Sequence, residues 1–356
     1  MNTRAMLADA IGRIGDELCP ASIVRRAEAG EPADALWKAI SGSSLDRALV
    51  PESAGGAGLA WRDVLPLVLA CGEHAMPVPL AETLGAHALA RAAGVALPEG
   101  AATFALARSV DEAGDALDAP EVPWGDRVAS VVAVSADGEL RVLDPGKASA
   151  SHRRDPAGEM RSSMHWHRGA RLGPDADARA AHRIDASAIV RVGAALRAAQ
   201  LAGAMQAVLN LSLRYAGDRV QFGRPIGSFQ AIQQQLALMA ELVAQATMGA
   251  ELAFDCDGPI PDALRTACAK QVASANAMQC AAIAHAVHGA IGITAEHDLQ
   301  LFTRRLRTWA ADWGGAHHWA VELGLGVLRG GHASLWHAVR PESSRPGRNP
   351  RPRDPT

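Results

Sequence analysis

Apolar residues recur at helical spacing towards both ends of this chain and at strand spacing in its middle. Residues 1–97 are Ala-rich and periodic, with breaks at Pro20, at 30–32 and at 51–58. Within them, 63–73 carries Leu65, Val68 and Leu69 at helical spacing. Asp63 is placed to cap this helix, and Pro66 then falls in the first turn, where proline is tolerated. Met76, Pro77 and Pro79 end it, and a second helix is expected over 81–93. Residues 98–183 switch to short runs (103–106, 128–134 and 140–143) between turn residues, with Asp137-Gly138 as a hairpin signal. The polar, Gly/Pro-rich stretch 149–179 reads as loop. From Asp185 the helical period returns, with Asp185 or Ser187 as the cap. Ile232, Leu236, Met239 and Val243 form an apolar stripe within 228–254. Pro261 suits the first turn of a helix that runs towards Val287 and ends near Gly289, and another helical stretch covers 299–328.

The expected architecture is therefore mostly α: an N-terminal helical domain (1–97), a small, reduced β domain (98–183) and a C-terminal four-helix bundle (184–340). A tail rich in Pro, Arg and Ser (341–356) reads as disordered. No internal repeat is visible.

Composition narrows the function classes. The chain has 356 residues, 49% of them hydrophobic, and a net charge of -3. That supplies real cores and gives no case for nucleic-acid or membrane-surface binding. No run approaches the roughly 18 uninterrupted apolar residues of a membrane span. The charged N-terminus lacks the apolar core of a secretory signal. Cys19, Cys71, Cys256, Cys268 and Cys280 are scattered singly, which suggests neither a disulfide framework nor a zinc site. A reducing, cytoplasmic setting is the expectation.

Two segments carry candidate chemistry. The first is YAGDRVQFGRPIGSFQAIQ at 215–233. A helix is expected to stop at Gly223, Pro225 to fix the turn and Ser228 to cap the next helix. This corner exposes Arg219 and Phe222 beside Gln221 and Gln230. A guanidinium fork suits a pyrophosphate, and an aromatic packs on a planar ring. The plain alternative is a helical hairpin with a solvated arginine. The second is HAVHGAIGITAEHD at 285–298, where Gly289, preceded by His288, and Gly292 follow a helix. Bare N–H groups there would suit a phosphate; the plain alternative is a glycine C-cap. Neither this segment nor the Gly55-Gly56-Ala57-Gly58 run sits in a βαβ unit, so a Rossmann reading is rejected. His285 with His288, and His317 with His318, lack a convergent carboxylate or cysteine, so no metal site is expected.

Together these segments resemble the acyl-CoA dehydrogenase family. The first is similar to the signature that ends one C-terminal helix and begins the next. The second is similar to the family's glycine turn, followed by Glu296-His297-Asp298 and Arg304-Arg305. VPESAGGAG at 50–58 resembles its N-terminal domain loop. The resemblance covers nearly the whole chain, strongly after Asp185 and weakly over 98–183. It implies FAD held between subunits, with Arg219, Gln221, Phe222 and Gln230 reaching the dinucleotide of a neighbour and the turn at His288, Gly289 and Gly292 approaching it. It also implies an acyl-CoA substrate and α,β-desaturation.

The chain departs from that pattern where the family keeps its carboxylate base. Counting on from Gly292, one family position for the base falls at Trp313, before Gly314; the other falls near Gly193 and Ala194. None is a carboxylate. Asp312 is the only local substitute. Ala286 stands where the family has a glutamine. No clear match exists for the middle-domain run that contacts the flavin ring; Trp166 is weighed there against a surface loop. Two readings follow: an FAD-dependent acyl-CoA dehydrogenase subunit, in a homo-oligomer or with a longer homologous subunit, or a non-catalytic partner completing another chain's flavin site.

Overall fold

The computed structural model describes residues 2–110, 116–167, 170–172 and 182–329; the expected disordered tail lies outside them. The N-terminal part comprises α1 (Thr3–Leu18), α2 (Ala21–Ala29), α3 (Asp34–Gly42), 3-10 turns at Leu45–Arg47 and Glu52–Ala54, α4 (Trp61–Glu73) and α5 (Leu80–Ala92). Helix α4 begins two residues before the expected start. Asp63 is therefore not its cap; its carboxylate reaches back to accept from the Ala60 N–H at 3.1 Å. Pro66 consequently lies inside the helix rather than in its first turn, and one rung of the backbone ladder is missing there.

The middle part is a seven-stranded sheet ordered β5-β6-β2-β1-β3-β4-β7. Its strands are β1 (Ala102–Ser109), β2 (Leu117–Pro123), β3 (Ser130–Ser135), β4 (Glu139–Leu143), β5 (Ala148–Arg154), β6 (Met160–Trp166) and β7 (His182–Arg183). Strands β1 and β3 pair in parallel, and the other neighbours are antiparallel. The expected hairpin at Asp137-Gly138 joins β3 to β4, with Gly138 at φ 84°. Alternation along the strands serves two cores. Phe104, Val132 and Val142 join the main core, while Ala105, Val131 and Leu143 face a smaller one with Met164 and Trp166. The stretch expected to be loop instead holds β5 and β6, paired from Ala148↔Trp166 to Arg154↔Met160. Strand β5 is an edge strand, exposed along nearly its whole length. With no buried face it has no hydrophobic alternation to read. Trp166 is accordingly not a surface-loop residue: it is buried, and its indole N–H donates to the Asp144 carbonyl at 2.9 Å.

The C-terminal part is α6 (Ser187–Asp218), a two-strand ribbon β8 (Val220–Gln221) and β9 (Arg224–Pro225), a 3-10 turn (Ile226–Ser228), α7 (Gln230–Phe254), α8 (Ala263–His288), a 3-10 turn (Gly289–Ile293), α9 (Leu299–Ala311) and α10 (Ala316–Arg329). Pro261 lies before helix α8, which Asp262 caps by accepting from the Arg265 N–H at 2.9 Å. The stretch expected as one final helix is two, broken at Asp312–Gly315. Helices α6 and α7 are long and apolar enough to cross a membrane by length and composition; 94% of the α6 window and 44% of the α7 window is buried within the chain. Helix α6 is thus the core element. It approaches α4 backbone to backbone: a Cβ on Gly72 would lie 2.0 Å from the Gln200 carbonyl oxygen, and one on Gly203 2.0 Å from that of Leu69. Only glycine fits either place.

Candidate functional site

Two places carry candidate chemistry. The first is the corner between α6 and α7. Helix α6 stops at Asp218, before the expected Gly223, and the chain turns through the β8–β9 ribbon. The two turn residues, Phe222 and Gly223, have φ of 53° and 78°, as a tight twisted hairpin requires. The turn holds Phe222 out at 91% exposure. Ser228 does not cap α7; its hydroxyl donates to the Pro225 carbonyl at 2.7 Å. Arg219, Gln221 and Phe222 line a groove of about 700 Å³ whose opposite wall is His288, Gly289 and Ala290. Arg219 is exposed and forms no ion pair among the described residues.

Five of the sequence-selected residues, Arg219, Gln221, Phe222, His288 and Gly289, meet in this groove; Gln230 and Gly292 do not line it. Gly292 is buried, and a Cβ there would lie 2.8 Å from that of His288, so it is a packing glycine rather than bare backbone. The Gly289 N–H already donates to the His285 carbonyl, but a Cβ at Gly289 would meet nothing within 4 Å, so the backbone lies open there. His288 forms a floor. Its Nδ1 is 2.8 Å from the Ala284 carbonyl, its ring stacks on Tyr215 at 4.5 Å, and His297 meets its edge at 4.9 Å. Burial holds its pKa below the ordinary imidazole value. Sequence gives no sign that Tyr215 and His297 pack on His288, because their stacking depends on α6 lying beside the end of α8. A free guanidinium, an exposed aromatic and open glycine backbone around one groove fit a dinucleotide's phosphates and rings.

The second place is the seam between sheet and bundle. Trp313, at φ 56°, turns its indole onto α6: a Cβ on Gly193 would lie 2.3 Å from the ring. The ring also stacks on Phe104 of β1, with centroids 5.3 Å apart. The two positions that the resemblance marks for a base, far apart in sequence, thus touch in space, and an indole fills the space between them.

Beside the plug lies a buried ionic cluster that joins all three parts of the chain. The Asp312 carboxylate accepts from Arg161 of β6 at 2.6 Å and Arg197 of α6 at 3.1 Å. Arg161 also pairs with Asp155 at 3.1 Å. Arg197 faces Glu82 of α5 and Glu159, each at 3.6 Å, and packs on the Trp309 ring. Arg305 of α9 pairs with Glu28 of α2 at 2.8 Å. Burial alone would push the Asp312 carboxyl up, but the Arg197 and Arg161 guanidiniums outweigh it and hold it below the ordinary carboxylate range. A base needs a pKa near the working pH and a free lone pair aimed at its proton. This carboxylate has a depressed pKa and is held by two cations.

The α9–α10 break is fastened from below by Lys270 of α8. Its ammonium shares three N–H groups among four acceptors: Ser274 Oγ (2.8 Å) and the carbonyls of Trp309 (3.3 Å), Ala310 (3.1 Å) and Gly314 (2.9 Å). The Trp319 indole N–H donates to the Trp313 carbonyl at 2.9 Å. Burial draws Lys270 down to about 7, against the pull of Asp312. Folded protein therefore releases this proton near pH 7, whereas unfolded chain keeps it to about 10.4. Between these values the unfolded state binds the extra proton, so stability should rise with pH. Urea midpoints at pH 7, 8.5 and 10 should climb in the wild type and flatten in Lys270→Met; equal slopes would contradict this account. Arg161, Arg197 and Lys270 escaped the sequence reading because nothing local marks a cation as buried.

Comparison with known proteins gives the family. Residues 186–317 match the acyl-CoA dehydrogenase C-terminal domain family. The acyl-CoA dehydrogenase IpdE2 of Mycobacterium tuberculosis is 32% identical over 305 residues, covering 85% of this chain and 90% of its own. In fold, the chain is similar to butyryl-CoA dehydrogenase of Megasphaera elsdenii (TM-score 0.77, 16% identity, 92% and 99% of the two chains). It is similar also to a chain of the ChsE4-ChsE5 complex from Mycobacterium tuberculosis (TM-score 0.76, 21% identity, 92% and 98%). A relative matched at that identity along most of both chains, with the fold and the corner signature in place, makes this chain a member of the acyl-CoA dehydrogenase family.

Proposed function

We propose that this chain is a non-catalytic subunit of a heteromeric, FAD-dependent acyl-CoA dehydrogenase, lending its α6–α7 corner to the flavin of a partner that carries the base. The observation that carries this reading is the plug: Trp313 lies on Gly193 and Phe104 where a carboxylate would be needed. The reading in which this chain is itself the dehydrogenase would rest on Asp312, which Arg161 and Arg197 hold ionised and engaged.

FAD, when bound, supplies the acceptor for the hydride that leaves the acyl β-carbon. Arg219 would bind the pyrophosphate through its fork, Phe222 would pack on a ring, and the open backbone at Gly289 would let the dinucleotide lie close to the chain. All three face outward, so a flavin there is completed from outside by another subunit. The ChsE4-ChsE5 match is in keeping with a paired assembly. Part of the α7–α8 surface is apolar, with Met248 at 67% and Met278 at 50% exposure, and another subunit would cover it.

Arg219→Ala removes charge-assisted hydrogen bonds worth roughly 1.5–3 kcal/mol each. Flavin should then bind to the assembled protein about tenfold or more weakly, with circular dichroism unchanged. Fluorescence titration giving the wild-type affinity would count against the corner as a flavin contact. Sedimentation should show the chain in dimers or larger species at micromolar concentration, and a folded monomer alone would count against the shared site.

A further inference from the structure

The N-terminal domain contains a second cleft, of about 310 Å³, that shares no lining residue with the flavin corner. It arises from two chain reversals. At the end of α5 the Val95 N–H donates back to the Ala90 carbonyl and Gly94 takes φ 71°, so 94–100 folds back beside the helix. Opposite, Arg47 donates to the Ala54 carbonyl at 2.5 Å and pins the loop that carries Val50 and Pro51. The walls between them are apolar: Val50, Ala90, Val95 and Leu97.

The polar groups in this cleft have few partners of their own. His87, on the α5 floor, makes no hydrogen bond among the described residues. Burial, with Arg47 adding to it, lowers its pKa to about 4, so at neutral pH it is an uncharged imidazole with one N–H to donate. Arg91, one helical turn along at the exposed rim, forms no ion pair among the described residues. Arg47 meets Glu99 only at 3.4 Å, and its buried Nε has no partner. Asp46, 4% exposed, has an unpartnered Oδ1, and burial raises its pKa. Pockets of roughly 300 Å³ or more with apolar walls and a few convergent polar groups are the usual form of small-molecule sites.

The geometry points to a binding site for a compact aliphatic or alicyclic monocarboxylate, its carboxylate at Arg91 and His87 and its hydrocarbon body between Val50, Val95 and Leu97. Arg47 and Arg91 stand against Glu99 and Asp46, and the cation that is left without an ion pair among the described residues is Arg91 at the rim, which favours an anion there. The Glu99 and Asp46 carboxyls disfavour a dianion such as phosphate. The apolar walls favour a hydrocarbon body over a polar one.

The test uses the full chain in its assembled form and cyclohexanecarboxylate as probe, with cyclohexanecarboxamide as the neutral isostere, followed by calorimetry or ligand-observed NMR. The acid should bind saturably and the amide at least about tenfold more weakly, since hydrogen bonds to charged groups are worth roughly 1.5–3 kcal/mol. Arg91→Ala, at an exposed position, should weaken the acid at least about tenfold and leave the amide unchanged. His87→Phe should fill the cleft and abolish both. Absence of saturable binding at millimolar acid, equal affinity for acid and amide, or an Arg91→Ala variant that binds like wild type would each overturn the assignment. If His87→Phe fails to fold, the Arg91→Ala comparison decides alone. Flavin titration of Arg91→Ala should match wild type, so this site and the flavin corner can fail independently.

Discussion

The purified chain alone, supplied with FAD and a panel of acyl-CoA thioesters, is expected to dehydrogenate none of them at a dehydrogenase's rate. A positioned base contributes about 10²–10⁴ in rate. Here the two family positions for that base are an indole and a glycine in contact. Asp312, next to Trp313 in sequence, accepts from both Arg161 and Arg197 at its Oδ2, and their charges keep it a weaker base than an ordinary carboxylate. Activity should appear on mixing with a longer homologous chain that carries a carboxylate base, and Asp312→Asn should leave the turnover of that mixture unchanged. Robust turnover by the homomer that Asp312→Asn abolishes would make Asp312 the base and overturn the partner-subunit reading. Homomer turnover that survives the substitution would point to another group, with Glu296 next to be replaced.

The largest stability effect is expected at Arg197. Its side chain is 3% exposed and faces Glu82, Glu159 and Asp312. Arg197→Met keeps much of the volume but removes the cation from a buried cluster, a change that typically costs about 3–5 kcal/mol. The sign with pH follows from Asp312. Its folded pKa is depressed, so its contribution is present at neutral pH and lost as pH falls below the ordinary carboxylate value towards the folded one. In the variant the orphaned carboxylate is costly while ionised and is relieved by protonation. The gap between wild type and Arg197→Met should therefore be widest near pH 7.5 and narrow towards pH 4. Urea unfolding at both values measures it, and a loss below about 1 kcal/mol at pH 7.5 would mean that water reaches the cluster.

Local pattern sufficed to place the helical regions and the β3–β4 hairpin. A buried helical face repeats every three to four residues, and Asp137-Gly138 has the backbone freedom that the turn requires. The same signals are silent for β5, exposed almost throughout. They also hid the α9–α10 break. Trp313 and Gly314 take φ of 56° and 94° there, and bonds from Lys270 and Trp319 fasten the turn. The run Trp313-Gly314-Gly315 was the available hint, but glycine inside a periodic stretch says only that a break is cheap. The corner motif located Arg219 and Phe222 by itself, because both are fixed within a few residues of the turn that displays them. Whether Asp312 can act as a base was not a sequence property. Arg161, which holds it, is 151 residues away, on a strand that pattern reading missed. A carboxylate's basicity is set by the charges and solvent around it, and these were decided only when sheet and bundle closed on each other.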